Sequence, residues 1–371
     1  MIAGRVPTYE AEEQLQASRP AGVEPVQLHA TPAPALPPHV VEAVAAALGR
    51  PMRAPPARGL APLREALGAE LTQTTARIVD PDTELLVTNG AMQALGVCFR
   101  ALLQPGDEVV VPAPCFYFEG PIRAAGGVPV YVHGDALDGW AWDPEAIAQA
   151  AGPRARALLL CNPGNPTGHV PGPGEVAAAV RAAERKGLFV VTDEAYEAWL
   201  WDGARLASAF GTAPDVIAIR SLGKSLCMPH LRIGALAGPA ERVEACARVL
   251  EWDCLRVGLA AQEAALAALT GPRDWLDQEH ATMADSRDVA LAAVNGTPGL
   301  TTTAPAAGPF LFLGADGRDT LPDELAAVGL PVVDGRHFQA PGHARLPFGG
   351  ATNAREALGN ALGRWAEAQA S

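Results

Sequence analysis

The chain contains two lysines, Lys186 and Lys224, in unlike surroundings. Lys186 closes the run Ala182-Ala183-Glu184-Arg185-Lys186-Gly187, where a solvated cation suits the negative end of a helix dipole. Lys224 follows the apolar run Val216-Ile217-Ala218-Ile219 and lies between Ser221 and Arg232. A lysine amine condenses with an aldehyde to a Schiff base. A serine hydroxyl and the planar fork of an arginine suit a phosphate. An aldehyde that carries a phosphate describes pyridoxal phosphate (PLP). The plainer alternative is a glycine-containing strand-to-loop turn with a chance lysine.

In open α/β sheets, ligands bind beyond the carboxyl ends of the strands. The other chemically capable residues fall at such ends. Asn89-Gly90-Ala91-Met92 leaves a strand and opens a helix, so it is either an anion site made of free N–H groups or a plain turn. Phe116 follows the strand around Val109-Val110-Val111 and, on its own, reads as a core aromatic. Asn162-Pro163-Gly164-Asn165-Pro166-Thr167-Gly168 is a run of turn formers after Leu160. Asp193-Glu194-Ala195-Tyr196 puts a carboxylate at a strand end, where it binds a metal or caps a helix. Arg345, near the C-terminus, is a carboxylate fork or a surface arginine.

Together these motifs resemble those of the fold-type I PLP enzymes, aminotransferase class I/II family. Ser221-x-x-Lys224 with Arg232-x-Gly234 is similar to the cofactor-lysine motif. Asn162 to Gly168 matches N-P-x-N-P-T-G, Asp193 to Tyr196 matches D-E-x-Y, and Arg345-Leu346-Pro347-Phe348 matches R-L-x-F. Gln262-Glu263-Ala264 resembles the family's Q-x-A helix. The likeness runs from about residue 25 to about residue 365.

The resemblance implies a role for each matching residue. Lys224 carries the cofactor and shuttles the substrate Cα proton. Ser221, Arg232 and the backbone of Gly90, Ala91 and Met92 cradle the phosphate. Phe116 stacks on the pyridine ring, and Asp193 faces its nitrogen. Asn165 and Tyr196 hydrogen-bond the phenolic oxygen, and Asn165 also belongs to the substrate site. Arg345 grips the substrate α-carboxylate. The family also implies a homodimer in which a tyrosine reaches the partner's phosphate; here that position is Ala54, with Arg53 beside it. The arm lacks the usual Gly or Asn around Leu28-His29-Ala30, which places His29 near the substrate entrance as an extra acid/base group or a structural histidine.

The elements that must position these residues alternate. Helices are expected from about Pro38 to Leu48, where Val41, Val44, Ala45 and Leu48 share a face, and after Gly59, where Leu60, Leu63, Leu67 and Leu71 do. Strands are expected at 84–88, 109–111, 128–132, 157–160, 188–191 and 216–219, with 232–237 returning antiparallel. Helices are expected at 91–103, 144–151 and 174–185 between them, then 241–254 and 260–269. Continuous apolar strands between helices indicate a mostly parallel sheet covered on both faces. After residue 270 the texture changes to short strands around Phe310-Leu311-Phe312 and Val332-Val333 and a last helix at about 354–368. The expected fold class is α/β, a fold-type I PLP transferase. Its N-terminal arm is 1–37, with a short acidic helix at Tyr9 to Ala17. A large PLP-binding domain spans 38–270 and a small α+β domain 271–371.

A chain of 371 residues is long enough for a large core and a second domain. The net charge of −13 argues against nucleic acid or an anionic membrane surface as partner. Six cysteines without a C-x-x-C pair argue against zinc or dithiol chemistry, and no metal is expected. No apolar run reaches spanning length and the first residues carry no leader-like stretch, so a reducing cytoplasm is the expected location. The expected function is a PLP-dependent aminotransferase taking an L-amino acid and a keto-acid acceptor. The alternative is a lyase, cyclase or oxidase of the arginine-oxidising or capreomycidine-forming kind, since the cofactor residues are common to all of these. A non-enzymatic regulator of this fold would need an added DNA-binding domain, for which the residues before 38 leave no room.

Overall fold

Short apolar runs separated by helical segments build one seven-stranded sheet, ordered β1-β7-β6-β5-β4-β2-β3. The strands are β1 (Leu85–Thr88), β2 (Glu108–Ala113), β3 (Val128–His133), β4 (Ala155–Cys161), β5 (Phe189–Asp193), β6 (Val216–Arg220) and β7 (Gly234–Ala237). A computed structural model of the chain describes residues 20, 22–51, 54–75 and 77–370. The arm helix expected at 9–17 and Arg53 lie outside the described residues.

The pairs β2–β3, β2–β4, β4–β5 and β5–β6 are parallel. β7 runs antiparallel to both neighbours, β6 and β1. Burial on both faces follows from side-chain alternation. Val110, Leu158, Leu160, Val190 and Val216 enter one core. Their neighbours Val109, Val111, Leu159, Val191 and Ile217 enter the core on the other side. Each of β2, β4, β5 and β6 therefore feeds two cores, which is why these runs are continuously apolar, whereas β3 at the sheet edge has no fully buried residue.

A second, antiparallel sheet is ordered β10-β11-β9-β8. It comprises β8 (Thr301–Thr302), β9 (Phe310–Gly314), β10 (Val333–Asp334) and β11 (His343–Pro347). The arm joins it through its backbone: Val26 N–H donates to Gly329 at 2.9 Å, and His29 pairs with Gly349 as an isolated bridge.

The region after 270 differs from the expectation of short strands. It begins with a 22-residue helix, Asp274–Asn295. Its buried positions are Met283, Ser286, Arg287, Ala290 and Val294. Ser and Arg on the inner face hide the helical period. Arg287 is tolerated there because its fork ends on Asp202, at 2.8 and 2.9 Å. Two shorter helices, Glu119–Ala124 and Leu321–Ala327, also have no matching expectation. Gln262 of the helix Leu259–Thr270 is fully buried; it accepts from Leu60 N at 2.7 Å and donates to Val257 O at 2.8 Å, tying that helix to the start of Ala61–Thr75.

Candidate active site

Residues leaving β1, β2, β5 and β6 converge on a cavity of about 580 Å³ whose lining includes Phe116, Asp193, Tyr196, Ser221, Lys224 and Arg232. Lys224 sits in a single helical turn, Leu222–Ser225, directly after β6. Its Nζ lies 3.8 Å from the centre of the Tyr196 ring and 5.5 Å from that of Phe116. The Lys224 carbonyl accepts a hydrogen bond from Trp199 Nε1 at 3.1 Å, which anchors the turn from below.

One end of the cavity is shaped for an anion. Gly90 has φ +81°, and a Cβ there would sit 2.7 Å from Arg232 Nη2. Only glycine combines that dihedral with that approach. The helix Ala91–Leu102 begins immediately after, with no side-chain cap at Gly90, so its N-terminal end is directed toward the Arg232 fork. Gly234 lets β7 pass the same point, since a Cβ would lie 2.7 Å from Gly90 C. Arg232 itself has φ +49°, an uncommon conformation for a non-glycine residue. With Ser221 on the lining, this end fits a phosphate.

At the other end is Arg345, 4% exposed, on β11. Its guanidinium carbon lies 5.1 Å from the Phe310 ring centre and 4.9 Å from that of Phe338. Arg345 Nη1 donates to Asn165 Oδ1 at 3.2 Å, joining two residues 180 positions apart. The fork thus faces the cavity from aromatic surroundings with little competing water.

Asp193 ends β5 and is 6% exposed. Burial pushes its carboxyl up to about 6, and the charge of Lys224 pulls the other way. Behind it, Arg220 meets Glu194 at 2.9 Å and Glu197 at 3.6 Å. Burial raises the Glu197 carboxyl to about 7 against the pull of Arg220. Ser208 donates to Glu194 at 2.6 Å. This ion cluster pins the ends of β5 and β6, where Asp193 and Lys224 are carried. Burial pushes the Cys161 thiol up to about 12, so it is a neutral packing group.

Of the two readings of His29, an acid/base group or a structural histidine, its packing favours the structural one. Ala30 and Thr31 line the cavity in its stead. A Cβ on Gly349 would lie 2.2 Å from His29 Nδ1, so the ring is packed on the Gly349 backbone. Burial lowers its pKa, with Glu279 opposing. The strand-like bridge at His29 forces the next residues, not its ring, to face inward. Trp199, Arg220, Phe310 and Phe338 were not singled out from the sequence. Only Arg220 carried a signal, a charged residue at the end of an apolar strand.

Residues 28–362 match the model of the family described as aminotransferase class I and II. The chain belongs to that family. Its members use PLP, and the protein is accordingly an enzyme, a transferase. The aspartate/prephenate aminotransferase of Thermus thermophilus is 34% identical over 342 residues, covering 89% of this chain and 87% of that one. The aspartate aminotransferase of Geobacillus stearothermophilus is 29% identical over 350 residues, covering 90% and 89%. A solved Thermus thermophilus aspartate aminotransferase (a single mutant) superposes with a TM-score of 0.89 at 31% identity, over 99% of this chain and 98% of that one. Among the described residues no helix is long and apolar enough to cross a membrane.

Proposed function

We propose that this chain is a PLP-dependent aminotransferase acting on an L-amino acid with a keto acid as acceptor, and that Lys224 both holds the cofactor and moves the proton. Bound PLP supplies an aldehyde for the amino group and a ring that draws electrons from Cα. Arg232, Ser221 and the N–H groups of Ala91 and Met92 hold the phosphate, next to the Gly90 turn. Asp193 holds a proton at the ring nitrogen, and Asn165 and Tyr196 orient the phenolic oxygen. Phe116 covers the ring face. Arg345 binds the substrate α-carboxylate. Lys224 Nζ takes the proton from Cα as general base and returns it as general acid. The observation that carries this reading is the single cavity in which Lys224, Asp193, Arg232 and Arg345 meet.

The test is a half-reaction. An aminotransferase given an amino acid without acceptor should release one equivalent of keto acid per site and stop. Continued product formation would instead mark a lyase, cyclase or oxidase. In the same assay Arg345→Ala should weaken amino-acid binding by roughly 1.5–3 kcal/mol, the range for charge-assisted hydrogen bonds. Simple amines should lose much less; equal losses would remove Arg345 from the carboxylate site.

We also assign the first sheet to a large domain at 38–270 and the second to a small domain at 271–371, and we take the working unit to be a homodimer. Sedimentation across a dilution series should show a dimer wherever activity persists; an active monomer would exclude shared sites.

A further inference from the structure

Trp199, Leu200 and Trp201, after β5, form a strap between the two sheets. Their backbone pairs with residues 306–308, which lead into β9. Gly308 N donates to Trp199 O and Trp201 N to Ala306 O, both at 2.9 Å, and Leu200 bridges Ala307. Both indole rings are buried, and a buried indole N–H needs an acceptor. Trp201 Nε1 finds its acceptor within the strap, donating to Gly308 O at 2.8 Å. Trp199 Nε1 reaches out of it, to Lys224 O at 3.1 Å. Trp199 is 3% exposed in the single protomer, so no second copy is needed to cover it.

The Trp199 ring is held independently of that bond. His280, on the helix Asp274–Asn295, stacks on it with ring centres 5.9 Å apart and planes 11° apart, and His280 Nε2 donates to Leu200 O at 3.1 Å. The turn that Trp199 meets is weak by itself. Leu222–Ser225 is one helical turn, and nucleating a single turn is unfavourable. Contacts from outside support it: Gly223 N donates to Ile233 O at 3.0 Å, and Lys224 O accepts from Cys227 N at 3.2 Å as well as from Trp199. A tilt of the turn would carry Nζ away from its place 3.8 Å from the Tyr196 ring centre. The lysine stem is flexible, so a fixed backbone narrows where the amine can be.

We propose that Trp199 is a positioning residue for the proton transfer: held by the strap and by His280, its indole N–H fixes the Lys224 turn and thereby the place of Nζ in the cavity. This rests on the reading in which Lys224 moves the Cα proton, and it adds the residue that sets where that amine stands. Trp201, the same residue type on the same strap, bonds to Gly308 and has no such part.

Two replacements remove the donor at position 199. One is Trp199→Phe; the other is β-(3-benzothienyl)alanine, which puts sulfur in place of the indole N–H at nearly constant shape. Trp201→Phe makes the matching change beside it, so a general loosening of the strap would appear in both phenylalanine variants. The first readout uses the cofactor-free protein with 13C at the lysine Cε. The chain has two lysines, so two signals are expected, and Lys224→Ala identifies them. An aromatic face shields nuclei above it, so the Lys224 signal should stand apart from that of the exposed Lys186. Loss of the Trp199 donor should move the Lys224 signal and leave that of Lys186 in place; Trp201→Phe should move neither. The second readout is single-turnover keto-acid release by the holoenzyme from L-glutamate, L-aspartate, L-phenylalanine and L-leucine. The transfer rate should fall roughly tenfold in both position-199 variants, inside the ~10²-fold that a misplacement of about 1 Å can cost. The amino-acid concentration giving half the maximal rate should stay within about twofold of wild type, the pattern of an interaction that acts on transfer rather than on binding. A Lys224 signal unmoved in the benzothienyl protein, or equal effects of Trp199→Phe and Trp201→Phe, would overturn the inference and leave the aminotransferase reading intact. A wild-type holoenzyme that converts none of the four amino acids would overturn that reading, and the inference with it.

Discussion

Lys224→Ala should lose the covalent hold on PLP, with turnover falling by roughly 10²–10⁴-fold or more, the range associated with one positioned acid–base group. Lys224 combines two tasks, so the loss should sit at the upper end. Its Nζ is within 3.8 Å of the Tyr196 ring centre, and its backbone is fixed by Trp199. Lys186 ends a helix on the far side of the chain's chemistry, beyond Arg185 of Pro173–Arg185. Borohydride reduction followed by peptide mapping decides the matter. The cofactor should be found on the Lys224 peptide and absent from that of Lys224→Ala. Label on Lys186 would reject the assignment.

Asp193→Asn should lower turnover on the order of 10²–10³-fold, the scale for removing one preorganised electrostatic partner. Cofactor retention should change less, because the phosphate contacts lie elsewhere, at Arg232 and Ser221. The same substitution carries a signature in the cofactor-free protein. The Asp193 carboxyl is pushed up to about 6 from 3.8 by burial, only partly offset by Lys224. Between those two values the folded state holds more protons than the unfolded state, so stability falls as pH rises through this window. The penalty is complete above about pH 6 and absent below the unfolded value. Apo Asp193→Asn, which cannot ionise, should therefore melt above the wild type at pH 8, with the difference closing toward pH 4. Glu197 shifts in the same sense but is present in both proteins, so it cancels. A melting difference that does not depend on pH would show that Asp193 is not a buried, strained carboxylate.

Much of the large sheet was legible because its chemistry is local. Strands buried on two faces must be apolar throughout, so β4, β5 and β6 announce themselves as runs. The turn from β6 into Lys224 and the Asp193 strand end lie beside those runs, and the return of β7 was foreseen as antiparallel. The helix Pro38–Leu48 appears with the expected bounds but not the expected inner face: Val41 and Leu48 are exposed, and Val40 and Ala47 are buried. Other features depended on partners remote in sequence. The helix Asp274–Asn295 hides its period behind Arg287, whose fork is held by Asp202 from elsewhere in the chain and by the adjacent Asp288. The sequence leaves His29 as either an acid/base group near the substrate entrance or a structural histidine; its ring packs on Gly349 while Ala30 and Thr31 line the cavity.

The sequence by itself determined the strands of the large sheet, the placing of chemically capable residues at their ends, and the family. Each of these rests on contiguous residues, whose burial pattern and motif spacing are written along the chain. The tertiary structure alone decided that Arg345 meets Asn165 between two phenylalanine rings, and that Arg220 carries two buried carboxylates behind Asp193. Those features exist only where elements far apart in sequence are packed together, and no local pattern encodes the distance between them.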